Sequence, residues 1–288
     1  MVHSMLIKNE RTLAEDKLTL KLYAMTCGWL TMPYGFFIAG EQGELAVPVP
    51  SYLIDHPKGT VLYDTGLEKT LQSTDPEVVK ETLGSLAPYM KVRYLPGEDI
   101  AKRLESFDRD PKGIHYLINS HLHFDHCGGN EAIPNARWVI QKREWQSATT
   151  PEGIAENRFV PRHYDLGHDR IEIDGEYDLF GDGTITCVPT YGHTPGHQSL
   201  RLATDDGIVW LTADACYMRT ALERMMLPDA MVVRDADAMM RNFVMFKRLL
   251  DAGAVLIFGH DPAQSKTLTD GPIREVTANA LREASSAR

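Results

Sequence analysis

Short, uninterrupted apolar runs dominate the pattern of hydrophobic and polar positions from the middle of the chain onward. Five such runs occupy residues 114–118, 138–140, 185–188, 208–211 and 255–258. Continuous rather than alternating hydrophobicity is typical of strands covered on both faces, by helices on one side and a second sheet on the other. The pattern therefore predicts a layered α/β protein.

Helical spacing and turn signals predict further elements. Apolar residues recur at helical intervals in three segments, each opened by an acidic residue or a proline, at residues 76–89, 98–107 and 235–251. Strand, turn, strand signals surround the sequence HPKG, at residues 51–55 and 60–66. Predicted strands and predicted helices thus both occur along the chain, as a layered α/β arrangement requires.

The first part of the chain is rich in residues that break regular structure. A strand is expected around residues 18–23, and the glycines and prolines of residues 27–50 then predict a long loop with one short strand. We therefore expect residues 1–48 to form a strand and a long loop on the substrate side. No repeat or low-complexity segment divides the chain, which predicts a single domain over residues 1–288.

Composition restricts the classes of partner. The chain has 30 Lys and Arg against 40 Asp and Glu, a net charge of −10 with neutral histidines, and such a field repels polyphosphate, so no nucleic-acid partner is expected. No apolar stretch is long enough to span a bilayer, so neither a membrane partner nor a targeting segment is expected. The four cysteines lack CxxC spacing, which favours a reducing, cytoplasmic location.

The 11 histidines carry the candidate chemistry, because five of them fall in the segments HLHFDH and GHTPGH. Three imidazoles and a carboxylate within one hexapeptide would be costly in an apolar interior unless a cation pairs with them. Further His and Asp residues follow other predicted strands, where a rigid sheet can hold ligands in place. The candidate metal ligands are His121, His123, Asp125, His126, His193, Asp214 and His260.

Alternation along the turn favours two adjacent metal ions over one. One predicted group consists of three imidazoles, those of His121, His123 and His193. The other is mixed and consists of Asp125, His126 and His260. Asp214 is then free to bridge them, and a shared position remains for solvent, which a catalytic centre requires. Imidazole and carboxylate donors without thiolate suit zinc, while iron, cobalt or manganese would also fit.

The order of these motifs resembles the metallo-β-lactamase superfamily over about residues 50–262. Within it, HLHFDHCGGN, GHTPGHQSL and DACY resemble the quorum-quenching N-acyl-homoserine lactonases. The resemblance implies an αββα sandwich, in which two mixed β-sheets pack face to face with helices outside and a dinuclear metal site lies at the edge where both sheets end. It also implies a homodimer and a small-molecule lactone as substrate.

The resemblance further implies roles in hydrolysis, with water activated between the two cations opening the lactone ring. Tyr217 would hydrogen-bond the substrate carbonyl, although a packed structural tyrosine is the alternative, and Asp125 would protonate the leaving ring oxygen. Asp64 is expected to orient a ligand histidine, and His197 to support its loop. An apolar acyl groove could come from aromatic residues and a methionine, for which buried core is an equally good account: Met25, Trp29, Phe36, Phe37 and Phe124.

Other functions stay open on the same scaffold. The metal site does not select the acyl group, so a lactonase or esterase for pyridoxolactone or γ-butyrolactone is an alternative. A glyoxalase II-like thioesterase needs a C-terminal helical module, for which the 28 residues after His260 are expected to be too few. A non-catalytic metal-binding protein on this fold is the alternative from a different class, and it predicts missing ligands, whereas all seven are present.

Overall fold

The computed structural model describes residues 20–268 and 273–286 of the chain, which form strands and helices joined mostly by short turns. The strands are β1 Lys21–Pro33, β2 Glu44–Asp55, β3 Val61–Tyr63, β4 Lys91–Arg93, β5 Tyr116–Ile118, β6 Arg137–Gln141, β7 Arg170–Ile173, β8 Tyr177–Asp178, β9 Ile185–Pro189, β10 Gln198–Thr204, β11 Gly207–Leu211, β12 Val255–Ile257 and β13 Arg274–Val276. The α-helices are α1 Pro76–Leu83, α2 Ile100–Glu105, α3 Phe124–Cys127, α4 Lys142–Ala148, α5 Pro151–Asn157, α6 Arg219–Arg224, α7 Ala236–Asp251, α8 Pro262–Leu268 and α9 Ala278–Ser286.

The strands form two sheets. The first has the order β13-β1-β2-β3-β5-β6-β7, with β4 paired to β1, and the second has the order β12-β11-β10-β9-β8. In the first sheet β1, β2 and β3 pair antiparallel, whereas β3, β5, β6 and β7 pair in parallel. In the second sheet a parallel β11–β12 pair adjoins antiparallel pairs. Both sheets are therefore mixed, as predicted.

Three apolar layers hold the sheets and helices together. Side chains from both sheets, among them Val139 and Leu200, fill the space between the sheets and are fully buried. The outer face of the second sheet packs on α7, where the rings of Trp210 and Phe246 meet edge to face at 6.1 Å. The outer face of the first sheet packs on α2 through Leu104. The layers of the molecule therefore follow one another in the order helix, sheet, sheet, helix, which confirms the αββα architecture.

The apolar runs of the sequence become strands. All five coincide with strands that the structure contains, namely β5, β6, β9, β11 and β12. The strand expected at residues 18–23 overlaps β1 from Lys21, and residues 1–19 lie outside the described part of the chain. Continuous burial of short runs thus predicted central strands correctly, because both faces of these strands are covered.

The helices differ from prediction mainly at their ends. α7 begins after Asp235, whose carboxylate accepts the backbone N–H of Ala238 at 2.9 Å and caps the helix. α1 is shorter than the predicted residues 76–89, because Gly84 adopts a left-handed φ of 56° and Pro88 follows it. In the described ranges, the helices are too short or too polar to cross a lipid bilayer.

The segment at residues 27–50 is not a long loop, which corrects the expectation from its glycines and prolines. β1 and β2 form a long antiparallel hairpin, and only residues 34–43 lie outside it. Gly28, with φ of 107°, lies at a register shift in β1, so the strand bends there instead of ending. Pro48 and Pro50 lie beyond the part of β2 that pairs with β3, where one edge of the strand is open.

Candidate active site

Strands from both sheets end at one edge of the sandwich, and the loops that follow them carry the predicted ligands. β5, β9, β11 and β12 each end three or four residues before one of these side chains. The residues they lead to are His121, His193, Asp214 and His260. The HLHFDH segment continues into the short helix α3, which turns its last two ligands away from its first two. The sheet edge therefore gathers residues that are far apart in sequence.

The seven predicted ligands form two adjacent groups. One contains His121, His123, His193 and Asp214, and the other contains Asp125, His126 and His260. Within each group the potential ligand atoms lie within 4.8 Å of one another. Alternation of residues in the turn predicted the same division of the terminal ligands.

Three ring nitrogens converge in the first group. Nε2 of His121 and Nε2 of His193 each lie 2.9 Å from Nδ1 of His123. The outer nitrogens of two rings donate to backbone carbonyls, Nε2 of His123 to Asn157 at 2.9 Å and Nδ1 of His193 to Val232 at 2.8 Å. Their inner nitrogens therefore present lone pairs. Burial lowers the pKa of His121 and of His123 well below 6.5, which keeps both rings neutral, as metal ligands must be.

The rings of the second group are oriented in a similar way, although the carboxylates of Asp214 and Asp125 outweigh burial there and raise the pKa of His126 and of His260 above 6.5. Nδ1 of His126 donates to Oδ2 of Asp64 at 2.8 Å, and Nδ1 of His260 donates to the carbonyl oxygen of Pro48 at 2.7 Å. The Nε2 atoms of both rings face inward, each 3.8 Å from Oδ2 of Asp125. Each imidazole is thus oriented by a partner on its outer side, which is the usual arrangement of metal-ligating histidines.

Asp214 lies between the two groups with one carboxylate oxygen toward each. Oδ1 lies 3.2 Å from Nε2 of His126 and 3.1 Å from Nε2 of His260. Oδ2 lies 3.2 Å from Nε2 of His193 and 3.6 Å from Nε2 of His121. This placement allows one carboxylate to serve both groups.

The inward-facing polar atoms require positive charge. Nε2 of His126 and Oδ1 of Asp214 are buried 3.2 Å apart, yet neither makes a hydrogen bond within the described part of the chain. Imidazole lone pairs facing each other and two carboxylates would repel in a buried site, at a cost that a cation removes. Neutral nitrogen and anionic oxygen donors are ligands that divalent metals prefer. The donor set therefore fits a divalent metal in each group.

Asp64 and Ser120 orient the histidines from behind. The backbone N–H of Ser120 donates to Oδ1 of Asp64 at 2.7 Å, and its hydroxyl donates to Oδ2 at 2.8 Å. The same hydroxyl lies 3.0 Å from Nδ1 of His121, while Asp64 accepts from His126. Asp64 has a left-handed φ of 59°, which costs a non-glycine residue about 1 kcal/mol or more. The strained turn places its carboxylate against Nδ1 of His126, one of the predicted ligands.

His197 lies behind Asp214 and outside both groups. Its Nδ1 is 2.9 Å from the hydroxyl of Thr190, and its Nε2 accepts the backbone N–H of Asp214 at 3.1 Å. Burial lowers the pKa of His197 to about 3, so the ring is neutral and can accept this bond. The first contact spans the loop that carries His197, and the second holds the backbone of Asp214.

A buried carboxylate that sequence analysis missed joins the two histidine-rich loops. Glu144, in α4, has no exposed surface. Its Oε1 accepts the N–H of Leu122 at 3.0 Å, and its Oε2 accepts the hydroxyl of Thr194 at 2.8 Å and the N–H of Gly196 at 2.7 Å. A Cβ at Gly196 would lie 2.3 Å from the backbone nitrogen of Glu144, so a glycine is required at this contact. The polar sequence around Glu144, QKREWQS, gives no signal of its burial.

We expect Glu144→Gln to lower the free energy of unfolding by about 2 to 4 kcal/mol, because an amide has one acceptor oxygen and would turn its NH2 toward a donor. Urea denaturation of the metal-free protein measures the change. Glu152→Gln, at an exposed position of the neighbouring helix α5, is the matched control and should alter stability by less than about 0.5 kcal/mol. Equal effects of the two substitutions would contradict the linking role of Glu144.

A cavity of about 310 Å³ opens over the two groups. Its polar floor contains predicted ligands from both groups, and its apolar wall includes Met32, Phe36, Phe37, Leu86, Tyr89, Met90 and Phe124. Three of the five predicted groove residues therefore line it. Leu86 and Tyr89 were missed because they follow Gly84, in a segment predicted as continuous helix.

Met25 and Trp29 do not line the cavity, contrary to expectation. Met25 is almost fully buried on the outer face of the first sheet, in the layer against α2. Trp29 pairs with Arg93 of β4, whose guanidinium lies 5.1 Å from the indole ring. Both belong to strand β1, on either side of its register shift, and neither side chain faces the cavity.

Tyr217 places a hydroxyl group at the cavity floor. Its oxygen lies 3.1 Å from Nδ1 of His193, and its ring packs edge to face on Phe37 at 5.5 Å. Burial, with the carboxylates of Asp214 and Asp125 nearby, raises the pKa of Tyr217 well above 10. The hydroxyl is therefore protonated at neutral pH and can donate a hydrogen bond to a ligand in the cavity.

Comparison with known proteins identifies the family. Residues 45–260 match the family described as the metallo-beta-lactamase superfamily. The N-acyl homoserine lactonase AttM of Azorhizobium caulinodans is 31% identical over 230 residues, which cover 77% of this chain and 85% of that protein. An N-acyl homoserine lactonase of Bacillus cereus is 32% identical over 228 residues, which cover 77% of this chain and 84% of that protein.

The structural comparison agrees with the sequence comparison. A solved N-acyl homoserine lactone hydrolase, with the product N-hexanoyl-L-homoserine bound at its catalytic metal centre, superposes with a TM-score of 0.76 and 26% identity. The match covers 90% of this chain and 99% of that one. Both comparisons confirm the resemblance inferred from the HLHFDH and GHTPGH segments. The chain belongs to the metallo-β-lactamase superfamily and, within it, to the family of the N-acyl homoserine lactonases.

Proposed function

We propose that this protein is a metal-dependent hydrolase that opens the lactone ring of N-acyl-homoserine lactones and so acts in quorum quenching. The observation that carries the proposal is one cavity holding two ligand groups joined by Asp214, the hydroxyl of Tyr217 and an apolar wall. The activities named for the relatives and for the superposed hydrolase support it.

The metal ligands are assigned from the two groups. Three imidazoles would hold one divalent ion: those of His121, His123 and His193. The mixed group would hold the other, with Asp125, His126 and His260 as ligands and Asp214 shared between the ions. When bound, the ions supply a water nucleophile at neutral pH and polarise the substrate carbonyl. Donors without thiolate favour zinc, and iron, cobalt and manganese fit the same set.

Tyr217 and Asp125 are the residues that we assign to the reaction itself. The Tyr217 hydroxyl donates a hydrogen bond to the lactone carbonyl oxygen, which gains negative charge as water adds to the carbonyl carbon. Asp125 lines the same cavity, and its carboxylate would accept the proton that the attacking water loses and deliver it to the ring oxygen as the ring C–O bond breaks. The products are a carboxylate and an alcohol on one molecule, the N-acyl-homoserine.

A substrate panel tests the proposed function. We expect kcat/KM for N-hexanoyl-homoserine lactone to exceed that for γ-butyrolactone about a hundredfold, because each buried CH2 of the acyl chain contributes about 0.8 kcal/mol. Pyridoxolactone and the thioester S-lactoylglutathione complete the panel. Preference for the thioester would favour a glyoxalase II-like enzyme, and failure to hydrolyse any of the four would favour a non-catalytic metal-binding protein.

Tyr217→Phe is expected to lower kcat on N-hexanoyl-homoserine lactone about ten- to a hundredfold while metal content is unchanged, because it removes one hydrogen-bond donor from the developing oxyanion. Steady-state kinetics and elemental analysis of the same preparation measure both quantities. Tyr89→Phe, in the apolar wall, is the matched control and should change kcat by less than about twofold. Loss of metal from Tyr217→Phe would show instead that the tyrosine is structural.

Several expectations from the sequence stay predictions. They are a single domain over residues 1–288, a homodimer, a cytoplasmic location, and the lack of nucleic-acid and membrane partners. Sedimentation velocity of the metal-loaded protein tests the homodimer, which would give a particle of twice the chain mass of 32.3 kDa.

A further inference from the structure

Two arginines lie at the rim of the cavity that opens over the two ligand groups. Arg158 and Arg234 both line it and are both exposed to solvent. Nη1 of Arg158 donates to the carbonyl oxygen of Met231 at 3.0 Å, which holds this guanidinium at the rim. Within the described residues, neither arginine forms a salt bridge with a carboxylate. Two cationic groups therefore border the cavity.

The arginines belong to the backbone segments that support the first ligand group. Arg158 follows Asn157, and Arg234 lies two residues after Val232. The carbonyl oxygens of Asn157 and Val232 accept hydrogen bonds from ring nitrogens of that group. The hydrogen bond from Arg158 to Met231 joins these two segments. The guanidinium group of Arg158 thus has a defined position relative to the cavity floor, and the backbone N–H of Arg234 is held by the carbonyl oxygen of Gly192 at 2.8 Å.

The electrostatic situation of the pair favours an external anion. The pKa of Arg234 is lowered by partial burial and by the charge of Arg158, and Glu156 offsets this only in part. A carboxylate between two guanidinium groups relieves the repulsion between them, so the pair binds it more strongly than one guanidinium alone. Each guanidinium also offers two parallel N–H donors to a carboxylate. The rest of the protein carries a net charge of the opposite sign, so this local cationic patch is not a general feature of its surface.

We propose that Arg158 and Arg234 form a carboxylate-binding subsite for acyl-homoserine lactones whose acyl chain ends in a carboxylate. The apolar wall would contact the methylenes of the chain, and the guanidinium groups at the rim would bind its charged end. This inference rests on the proposed function. The carboxylate of the opened ring has the same chemistry, and the experiment below separates the two sources.

A matched pair of substrates tests the subsite. N-adipoyl- and N-hexanoyl-homoserine lactone have chains of equal length, and a carboxylate in the first replaces a methyl group in the second. We expect Arg234→Glu to lower the ratio of their kcat/KM values, adipoyl over hexanoyl, about tenfold. Arg234→Lys keeps the charge and should return the ratio to within about threefold of the wild type.

Arg241→Glu is the control for net charge. Arg241 is exposed on α7, beside a shallow depression outside the cavity, and its substitution changes the protein charge by the same amount. It should leave the ratio within about twofold of the wild type, because general steering by net charge is weak at physiological ionic strength. An equal fall in both variants would overturn the subsite.

Binding measurements keep this test separate from that of the proposed function. Calorimetric dissociation constants for N-adipoyl- and N-hexanoyl-homoserine, the opened forms, give the same ratio without turnover, and it should change in parallel. A ratio that Arg234→Glu leaves unchanged in both assays overturns the subsite for the acyl end. If N-hexanoyl-homoserine then binds the variant more weakly, the arginines bind the product carboxylate instead.

Discussion

Asp214→Ala should lower kcat/KM on N-hexanoyl-homoserine lactone at least about a thousandfold, which corresponds to about 4 kcal/mol of transition-state stabilisation. The reason is geometric, because Oδ1 of Asp214 faces the second ligand group and Oδ2 faces the first, so one substitution weakens both. We also expect fewer than two metal ions per chain. Steady-state kinetics and elemental analysis of one preparation measure the two effects together.

Two variants make the Asp214 experiment specific. Asp214→Asn keeps the size of the side chain and removes its charge, and it should lose nearly as much activity as the alanine variant because an amide is a poor bridging ligand. Asp174→Ala, at an exposed position, should leave activity and metal content as they are. Retention of two metals and near-normal turnover by Asp214→Ala would contradict the bridging role.

Removal of metal is the second large effect that we expect. A chelator should abolish turnover and lower the free energy of unfolding by about 4 kcal/mol for each ion removed, relative to protein in zinc at a thousand times the dissociation constant of each site. The folded site faces imidazole lone pairs and two carboxylates inward, and this arrangement loses its compensating charge when the metal leaves. Urea denaturation with and without chelator measures the difference, and zinc should restore it.

The control for metal removal is the Asp214→Ala variant itself. If its ligand groups bind metal weakly, chelator should change its stability by much less than it changes that of the wild type. A wild-type protein whose stability and turnover do not respond to chelator would contradict a role for metal in either property. The comparison thus separates metal bound at the two groups from metal bound elsewhere on the surface.

Much of the site followed from sequence because the residues proposed as its ligands are encoded locally. His121, His123, Asp125 and His126 occupy one hexapeptide, and their alternation around a turn predicts opposite directions. The remaining ligands follow apolar runs that only a covered strand explains, and strand ends of one sandwich meet at a common edge. Local pattern and sheet geometry together therefore predicted both groups.

The parts that sequence did not predict depend on contacts between distant segments. Glu144 is buried because two loops close over it, and its own neighbours in sequence are polar. The hairpin of β1 and β2 was hidden by Gly28, which breaks a helix but only bends a strand paired along its length. A loop over residues 27–50 gives no means of distinguishing Trp29, which pairs with β4, from Phe37, which lines the cavity.

Titration of the metal-free protein with zinc, followed by turnover of N-hexanoyl-homoserine lactone, tests the central claim most directly. The two ligand groups predict that activity rises until two equivalents per chain are bound and is constant beyond that point. Full activity without metal, a plateau at one equivalent, or no hydrolysis of this lactone at any loading would contradict a lactonase with a dinuclear metal site.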